Sequence, residues 1–290
     1  MTDEHRTAIN ELEQDLRAHD RAENSVRTII GAARRFLEWL EAQSQSLDAV
    51  TAETVRVYRN AMREDGLKPA TINLTVVALR QLFRVSMADR PNPAADLSRE
   101  QEQPLAPKGA EPDEVDAILT ALRRRPAGTE KEKIARIRDV AIVTLLLHTG
   151  LRVGEIAGLR SQDIERRPSR VWIIVRNAHS KGHKNRRVPL NEAARAALDR
   201  WCRIRPQDGP TVFGIGPAQI ERVMRRARST ASVGKVTPHT LRHTYARRLI
   251  DSGRSLVDVA AILGHTSIAT TQRYTQPTER DLEEAVDSLE

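Results

Sequence analysis

Four short stretches in the second half of the chain carry groups suited to handling phosphate. HTGLRVGEI (148–156) places Arg152 just past a glycine break, at the start of a short helix. The turn HSKGHKN (179–185) holds Lys181, with Lys184 as a second lysine. PHTLRHTYA (238–246) sets His239 and Arg242 three positions apart, hence on one helix face. ILGHTSIATTQRYT (262–275) holds His265 after a glycine and Tyr274 near its end. Together they could hold a phosphodiester, neutralise its charge and attack it. Each also has a purely structural account. Arg152 could cap its helix or pair with Glu155, Lys181 could be a solvated turn lysine, and His265 could end the preceding helix. His239 and His243, four apart, have the spacing of a zinc half-site, but no HExxH glutamate or third ligand accompanies them.

The elements that must position these groups fall into two blocks. Residues 5 to about 88 read as helical throughout. NSVRTIIGAARRFLEWLEAQ carries Val26, Ile29, Ile30, Ala33, Phe36, Leu37 and Leu40 at three- and four-residue steps, one apolar helix face. Thr51 caps a helix that stops at Gly66, and Pro69 opens another with Ile72, Val76, Leu79 and Leu82 on one side. Four helices with short connections predict an all-α bundle over 1–89. Residues 90–110 hold prolines and few large apolar residues, which predicts an extended linker. The second domain, 111–290, begins with two helices, the second ending at Gly150. SRVWIIVR (169–176) is the clearest strand, and RRVPL returns as its partner, giving a hairpin whose tip carries Lys181. The remainder reads as helical. The expected fold class is mainly α with a small β-sheet: an all-α domain followed by an α+β domain.

Composition narrows the partner. No apolar run is long enough to span a bilayer, so no membrane association is expected. The N-terminus MTDEHRTAINELEQ does not read as a targeting peptide, and the cytoplasm is the expected location. One cysteine, Cys202, excludes an internal disulfide framework and a cysteine-cluster metal site. The net charge of +8 is unevenly placed: residues 101–280 hold 33 Lys+Arg against 18 Asp+Glu, while 1–100 are slightly acidic. Such concentration favours a polyanion, most often nucleic acid, although solvated basic helix faces can produce the same pattern.

The four stretches, in this order, resemble the tyrosine recombinase (phage integrase) family, and among its branches look most like the bacterial Xer recombinases. The family's Arg…Lys…His-x-x-Arg…His…Tyr pattern is met at Arg152, Lys181, His239, Arg242, His265 and Tyr274, and the flanking text TGLRVGEIAGL, HTLRHTYA and LGHTSIATTQRYT matches too. The resemblance covers about 106–290 by motif. The N-terminal block is similar in size and position to the family's core-binding, SAM-like domain. One departure is Ser180, where the family often has glycine before the turn lysine.

The resemblance implies a site-specific DNA recombinase that needs no cofactor and no metal. Tyr274 would attack the scissile phosphate, forming a covalent 3′-phosphotyrosine that conserves the bond energy for rejoining. Arg152 and Arg242 would hold non-bridging oxygens in the fork geometry of guanidinium and stabilise the transition state. Lys181 would protonate the departing 5′-oxygen, His239 would assist proton transfer from Tyr274, His265 would hydrogen-bond the phosphate, and Glu155 would orient the site. A phenol is almost wholly protonated at neutral pH, and the surrounding cations are expected to supply the missing driving force. Of the other tyrosines, Tyr245 reads as a packing residue in a helical apolar context, and Tyr58 lies in the other domain. Arg56, Arg59 and Arg63 share a helix face in the N-terminal domain and, with Lys184, are candidates for phosphate contact. A C-terminal helix with Leu282, Val286 and Leu289 on one side could pack on its own domain; the resemblance implies instead that it docks into a neighbouring protomer, giving a homotetramer on paired core sites of double-stranded DNA. The N-terminal domain would close a clamp around that DNA. A related recombinase or an accessory protein could take part. Competing readings are a type IB topoisomerase-like DNA-relaxing enzyme and a catalytically silent DNA-binding protein of the same fold.

Overall fold

A computed structural model describes residues 1–19, 21–101, 109–176, 185–207, 209–265, 268–275 and 286–287. The chain divides into two compact units, 1–103 and 104–290. It is mostly helical with one small sheet, the expected fold class.

The first unit packs α1 (Asp3–Ala18), α2 (Glu23–Ala42), α3 (Ala52–Glu64) and α4 (Pro69–Ser86). Their boundaries follow from local chemistry. Thr51 makes a reciprocal capping box with Thr54, Pro69 stands in the first turn of α4, and Gly66 takes a positive φ of 72° after α3. All seven apolar positions read on α2 are buried, and so are Ile72, Val76, Leu79 and Leu82 of α4. Phe36 is the hub of an aromatic group, with ring centroids 5.1 Å from Tyr58 and 5.7 Å from Phe83.

Residues 92–101 differ from their reading as extended linker: they are docked on this unit. Arg80 of α4 donates to the carbonyls of Ala94 (3.0 Å), Ala95 (3.0 Å) and Leu97 (2.8 Å), and Asn73 exchanges hydrogen bonds with the backbone of Glu100. Ala94 and Leu97 are buried in its core. The segment lacks helical periodicity because its backbone is satisfied partly by side chains of α4 and partly by short turns such as Ala95 N–H to Asn92 O (3.0 Å).

In the second unit, α5 (Pro112–Arg124), α8 (Glu192–Ile204), α9 (Pro217–Ala231) and α10 (Pro238–Asp251) surround α6 (Glu130–Thr149). Ala141 through Leu147 of α6 are buried without a break, the mark of a central helix. α7 (Val153–Ala157) follows directly, and α11 (Leu256–Leu263) and α12 (Ile268–Gln272) complete the described helices. The sheet is antiparallel in the order β1 (Ile164–Arg167), β2 (Arg170–Val175), β3 (Arg186–Pro189), with Ile164 opposite Ile173 and Val175 opposite Arg186. The β2–β3 pair matches the sequence reading. β1 was not legible, because IERR has neither alternation nor β-branched content beyond its first residue; pairing with β2 imposes its conformation.

α6 and α11 both end in left-handed glycines, Gly150 (φ 63°) and Gly264 (φ 68°). A Cβ at Gly150 would sit 2.6 Å from the Tyr245 ring and 2.7 Å from Leu263 Cδ2. Gly150→Ala is therefore expected to destabilise this unit by about 2–4 kcal/mol, combining left-handed strain with overpacking, as measured by urea unfolding.

Candidate active site

The end of α11 organises the site. Its last carbonyls lack helical donors and carry the negative end of the helix dipole. Three arginines from three other elements satisfy them in succession. Arg186 Nε on β3 donates to Ile262 O (2.9 Å), Arg242 Nη2 on α10 to Leu263 O (2.7 Å), and Arg152 Nη2, before α7, to Gly264 O (3.4 Å). Arg242 also donates to Gly150 O, the left-handed cap of α6. Two helix C-termini thus hold one buried guanidinium in place. Burial, and then the charge of Arg152, push the pKa of Arg242 down to about 10, so it stays protonated at neutral pH.

Glu155 ties these arginines together. Its carboxylate accepts from the Arg152 backbone N–H (2.8 Å) and guanidinium (3.1 Å), and forms a two-pronged pair with Arg186 at 2.8 and 2.6 Å. Burial alone would raise its pKa, but the hydrogen bonds and charges of Arg186 and Arg152 outweigh that and hold it below the ordinary value. Arg186 went unnoticed in the sequence because it reads as an ordinary residue of the strand RRVPL. It leans on Gly264, where an added Cβ would lie 2.8 Å from its Nη1. Arg186→Met is expected to cost about 3 kcal/mol, because Glu155 is left half-paired in a largely buried setting. Arg186→Lys should recover little of it, since an ammonium cannot reproduce the two-pronged fork. Urea unfolding of both variants checks this.

Arg152, His239 and Arg242 line one cavity of about 580 Å³. Arg225 and Arg228 of α9 and Lys235 beyond it line the same cavity and make it more basic. In the sequence the signal for them is the spacing of Arg225 and Arg228 in VMRRARS, three apart on one helix face. Arg152 is half-exposed and lines the cavity, while Arg242 keeps N–H groups beyond the two given to carbonyls. The arrangement suits a single anionic tetrahedral group. His239 is pushed towards the neutral form by burial and then by Arg242, Arg152 and Arg273.

His265 and Tyr274 arrive from the chain beyond α11. His265 Nδ1 bonds Thr271 Oγ1 (2.8 Å), which leaves Nε2 for a ligand, and its pKa falls to about 4 through burial and the charges of Arg242 and Arg152. Its ring lies parallel to that of Tyr274, with centroids 6.5 Å apart. Tyr274 is buried against Ala246, Val259 and Leu263. Among the described residues its hydroxyl bonds Nδ1 of His243 at 2.7 Å, rather than His239. One expectation is corrected here. The arginines pull the pKa of Tyr274 down, but burial outweighs them and the net shift is upward, so nearby cations alone do not ionise the phenol.

The remaining candidates are placed differently. Lys181 and Lys184 lie outside the described residues. Arg56, Arg59 and Arg63 do not form a free row. Arg56 pairs with Glu53 at 3.2 Å, Arg59 reaches Ser98 Oγ at 3.2 Å, and Arg63 holds Glu100 in a two-pronged pair, both contacts 3.0 Å. The docked 92–101 segment occupies the last two. Tyr58 packs in the core of the first unit, and Tyr245 is held above its ordinary pKa by burial, as packing tyrosines would be. Among the described residues no group of three or more His, Cys, Asp or Glu side chains could hold a metal, and no helix is long and apolar enough to cross a membrane.

Comparison with known proteins gives the same answer from a different direction. Residues 110–280 match the phage integrase family, and residues 9–89 match the phage integrase N-terminal SAM-like domain. The chain is 31% identical over 257 residues to tyrosine recombinase XerD of Caulobacter vibrioides, covering 82% of this chain and 80% of that protein. It is 33% identical to XerD of Brucella suis, over 88% and 91% of the two chains, and 29% identical to XerA of Pyrococcus furiosus, over 96% and 92%. Among solved structures, the XerH recombinase bound to palindromic difH substrate superposes with a TM-score of 0.71 at 23% identity, over 93% and 81% of the chains. A lambda integrase dimer bound to a COC′ core site gives 0.69 at 21%, over 93% and 77%. With both family domains in order and Arg152, His239 and Arg242 lining one cavity, the chain belongs to the phage integrase family, the tyrosine recombinases, enzymes that cleave and rejoin DNA.

Proposed function

We propose that this protein is a site-specific recombinase that acts in the cytoplasm as a homotetramer on paired core sites of double-stranded DNA, and that Tyr274 is its nucleophile. Tyr274 attacks the scissile phosphate and forms a 3′-phosphotyrosyl bond while a 5′-hydroxyl departs; the reverse step rejoins the strand without an energy cofactor. Arg152 and Arg242 clamp the non-bridging oxygens, and charge growing on them in the transition state meets donors already oriented by helix ends. His239 and His265 complete the phosphate site, and Lys181 on the β2–β3 connection protonates the leaving oxygen. Glu155 orients Arg152. The basic wall of α9 tracks the DNA backbone. The first domain, 1–89 with the docked 92–101 segment, closes a clamp on DNA, and 111–290 is the catalytic domain. The segment carrying Leu282, Val286 and Leu289, of which Val286 is described, docks into the next protomer.

The observation that carries this reading is the convergence of Arg152, His239 and Arg242 on one basic cavity, with the tyrosine hydroxyl within the same cluster of charges. The test is to trap the protein on nicked DNA from its own genome, denature it, and identify the DNA-linked peptide. An adduct on the Tyr274 peptide is the expected result. Bound DNA without an adduct would favour a silent DNA-binding protein, and relaxation of supercoils without exchange between two sites would favour the topoisomerase reading. If adducts form but complete exchange requires a second component, a related recombinase or an accessory protein is the missing part.

A further inference from the structure

We propose that His243 is the proton acceptor for Tyr274. The proposal rests on Tyr274 being the nucleophile and adds a residue that the Arg–His–Arg–His–Tyr pattern does not contain. The proton of the phenol crosses the 2.7 Å bond from Oη to His243 Nδ1 as Oη bonds phosphorus and the bond from phosphorus to the 5′-oxygen breaks. The 5′-oxygen takes its proton from the general acid. On rejoining, the 5′-hydroxyl gives its proton back to the general acid as it attacks phosphorus, the Oη–P bond breaks, and His243 returns its proton to tyrosine. Nothing is consumed.

Three features favour His243 over His239. The first is contact: the described partner of the reacting hydroxyl is His243, one turn further along α10, with ring centroids 5.5 Å apart. His239 instead lines the phosphate cavity and presents its ring edge-on to His243, 4.5 Å between centroids. The second is protonation. Burial, and then His239, Arg273, Arg242 and His265, push the pKa of His243 down to about 4, so at neutral pH it is uncharged, and in the tautomer protonated at Nε2 its Nδ1 has the lone pair that accepts the phenol hydrogen. The third is need: burial holds Tyr274 protonated despite the arginines beside it, so ionisation requires a specific acceptor.

The same environment supplies timing. A base with so low a pKa is weak in the empty site. The groups facing it are His239 and Arg242 from α10, and His265, Arg273 and Tyr274 from the segment after α11. A bound scissile phosphate brings negative charge among these cations and relieves their repulsion on His243, which raises its basicity only once DNA is in place. Uncommitted DNA-free protein thus carries a neutral, hydrogen-bonded tyrosine.

The test is single-turnover cleavage of a nicked DNA substrate by the full chain and by His243→Gln, whose amide oxygen can accept the tyrosine hydrogen bond but cannot take its proton. Cleavage is expected to fall on the order of 10²-fold or more with DNA binding retained. Replacing Tyr274 with a fluorinated tyrosine of lower phenol pKa should then recover at least tenfold in His243→Gln and change the parent chain much less. A substrate with sulfur at the 5′ bridging position, whose leaving group needs no proton, should not rescue the variant. Cleavage by His243→Gln within threefold of the parent overturns the proposal, as does a slow variant that fluorination leaves slow, which would make His243 a positioning residue. If His239→Gln shows the fluorotyrosine rescue instead, the role belongs to His239. The parent chain separates the two levels of inference: binding without any Tyr274 adduct sinks the nucleophile assignment itself, whereas a normal adduct with an unimpaired His243→Gln sinks only this proposal.

Discussion

Tyr274→Phe is expected to reduce DNA cleavage to background, a loss on the order of 10⁶-fold by analogy with other deleted nucleophiles, while DNA binding survives. The substitution removes one atom. The ring keeps its packing against Ala246, Val259 and Leu263, and the parallel ring of His265 is untouched. What disappears is Oη and its hydrogen bond to His243. His243 is half-buried, so water can replace that partner, and the stability change should be about 1 kcal/mol or less. The measurement pairs a covalent-adduct assay on nicked DNA with a binding assay under the same conditions. An adduct formed by Tyr274→Phe would remove Tyr274 from its role. Tyr58 and Tyr245 are poor substitutes, the first being buried in the other unit's core and the second packed on Gly150.

The second large effect separates the two clamp arginines, which share a chemistry but not a structural burden. Arg152→Lys is expected to slow cleavage 10²- to 10³-fold, about 3–4 kcal/mol of barrier, with little change in stability. Its side chain is 46% exposed, and its carbonyl contact is the longest of the three at the end of α11. Arg242→Lys should slow cleavage at least as much and also destabilise the second unit by about 2–4 kcal/mol. Arg242 is 2% exposed and donates to both Gly150 O and Leu263 O, so a lysine leaves at least one buried carbonyl without a donor. Cleavage rates together with urea unfolding of both variants decide the matter. Equal stability losses would mean that the two helix ends do not depend on Arg242.

Much of this was legible in the chain because the relevant interactions are local. Apolar steps of three and four, the Thr51 cap, Pro69 at a helix start and Gly150 at a helix end are all read within a few residues, and each sits where expected. The candidate set was legible for a related reason. Arg152, His239, Arg242, His265 and Tyr274 stand in short, recognisable strings, so residue types and order alone defined the family and the groups available for phosphate chemistry. Where those groups meet one another was not written locally.

Tertiary structure decided the partners. The Arg242–Gly150 contact spans 92 positions, the Arg152–Gly264 contact 112, and the Arg186–Glu155 pair 31, and no periodicity encodes pairings at such separations. β1 exists because β2 pairs with it. Arg59 and Arg63, which look like a basic helix face, are spent on the 92–101 segment because Ser98 and Glu100 are brought to them. The balance at Tyr274 is likewise a tertiary matter. The charges that would lower its pKa could be counted from the sequence, but the burial that outweighs them could not, because desolvation depends on everything packed around the ring. The sequence by itself determined which groups would be present and the helices that carry them. The fold decided which guanidinium is buried, which carbonyls hold it, and that the histidine beside Arg242 is the one touching the tyrosine.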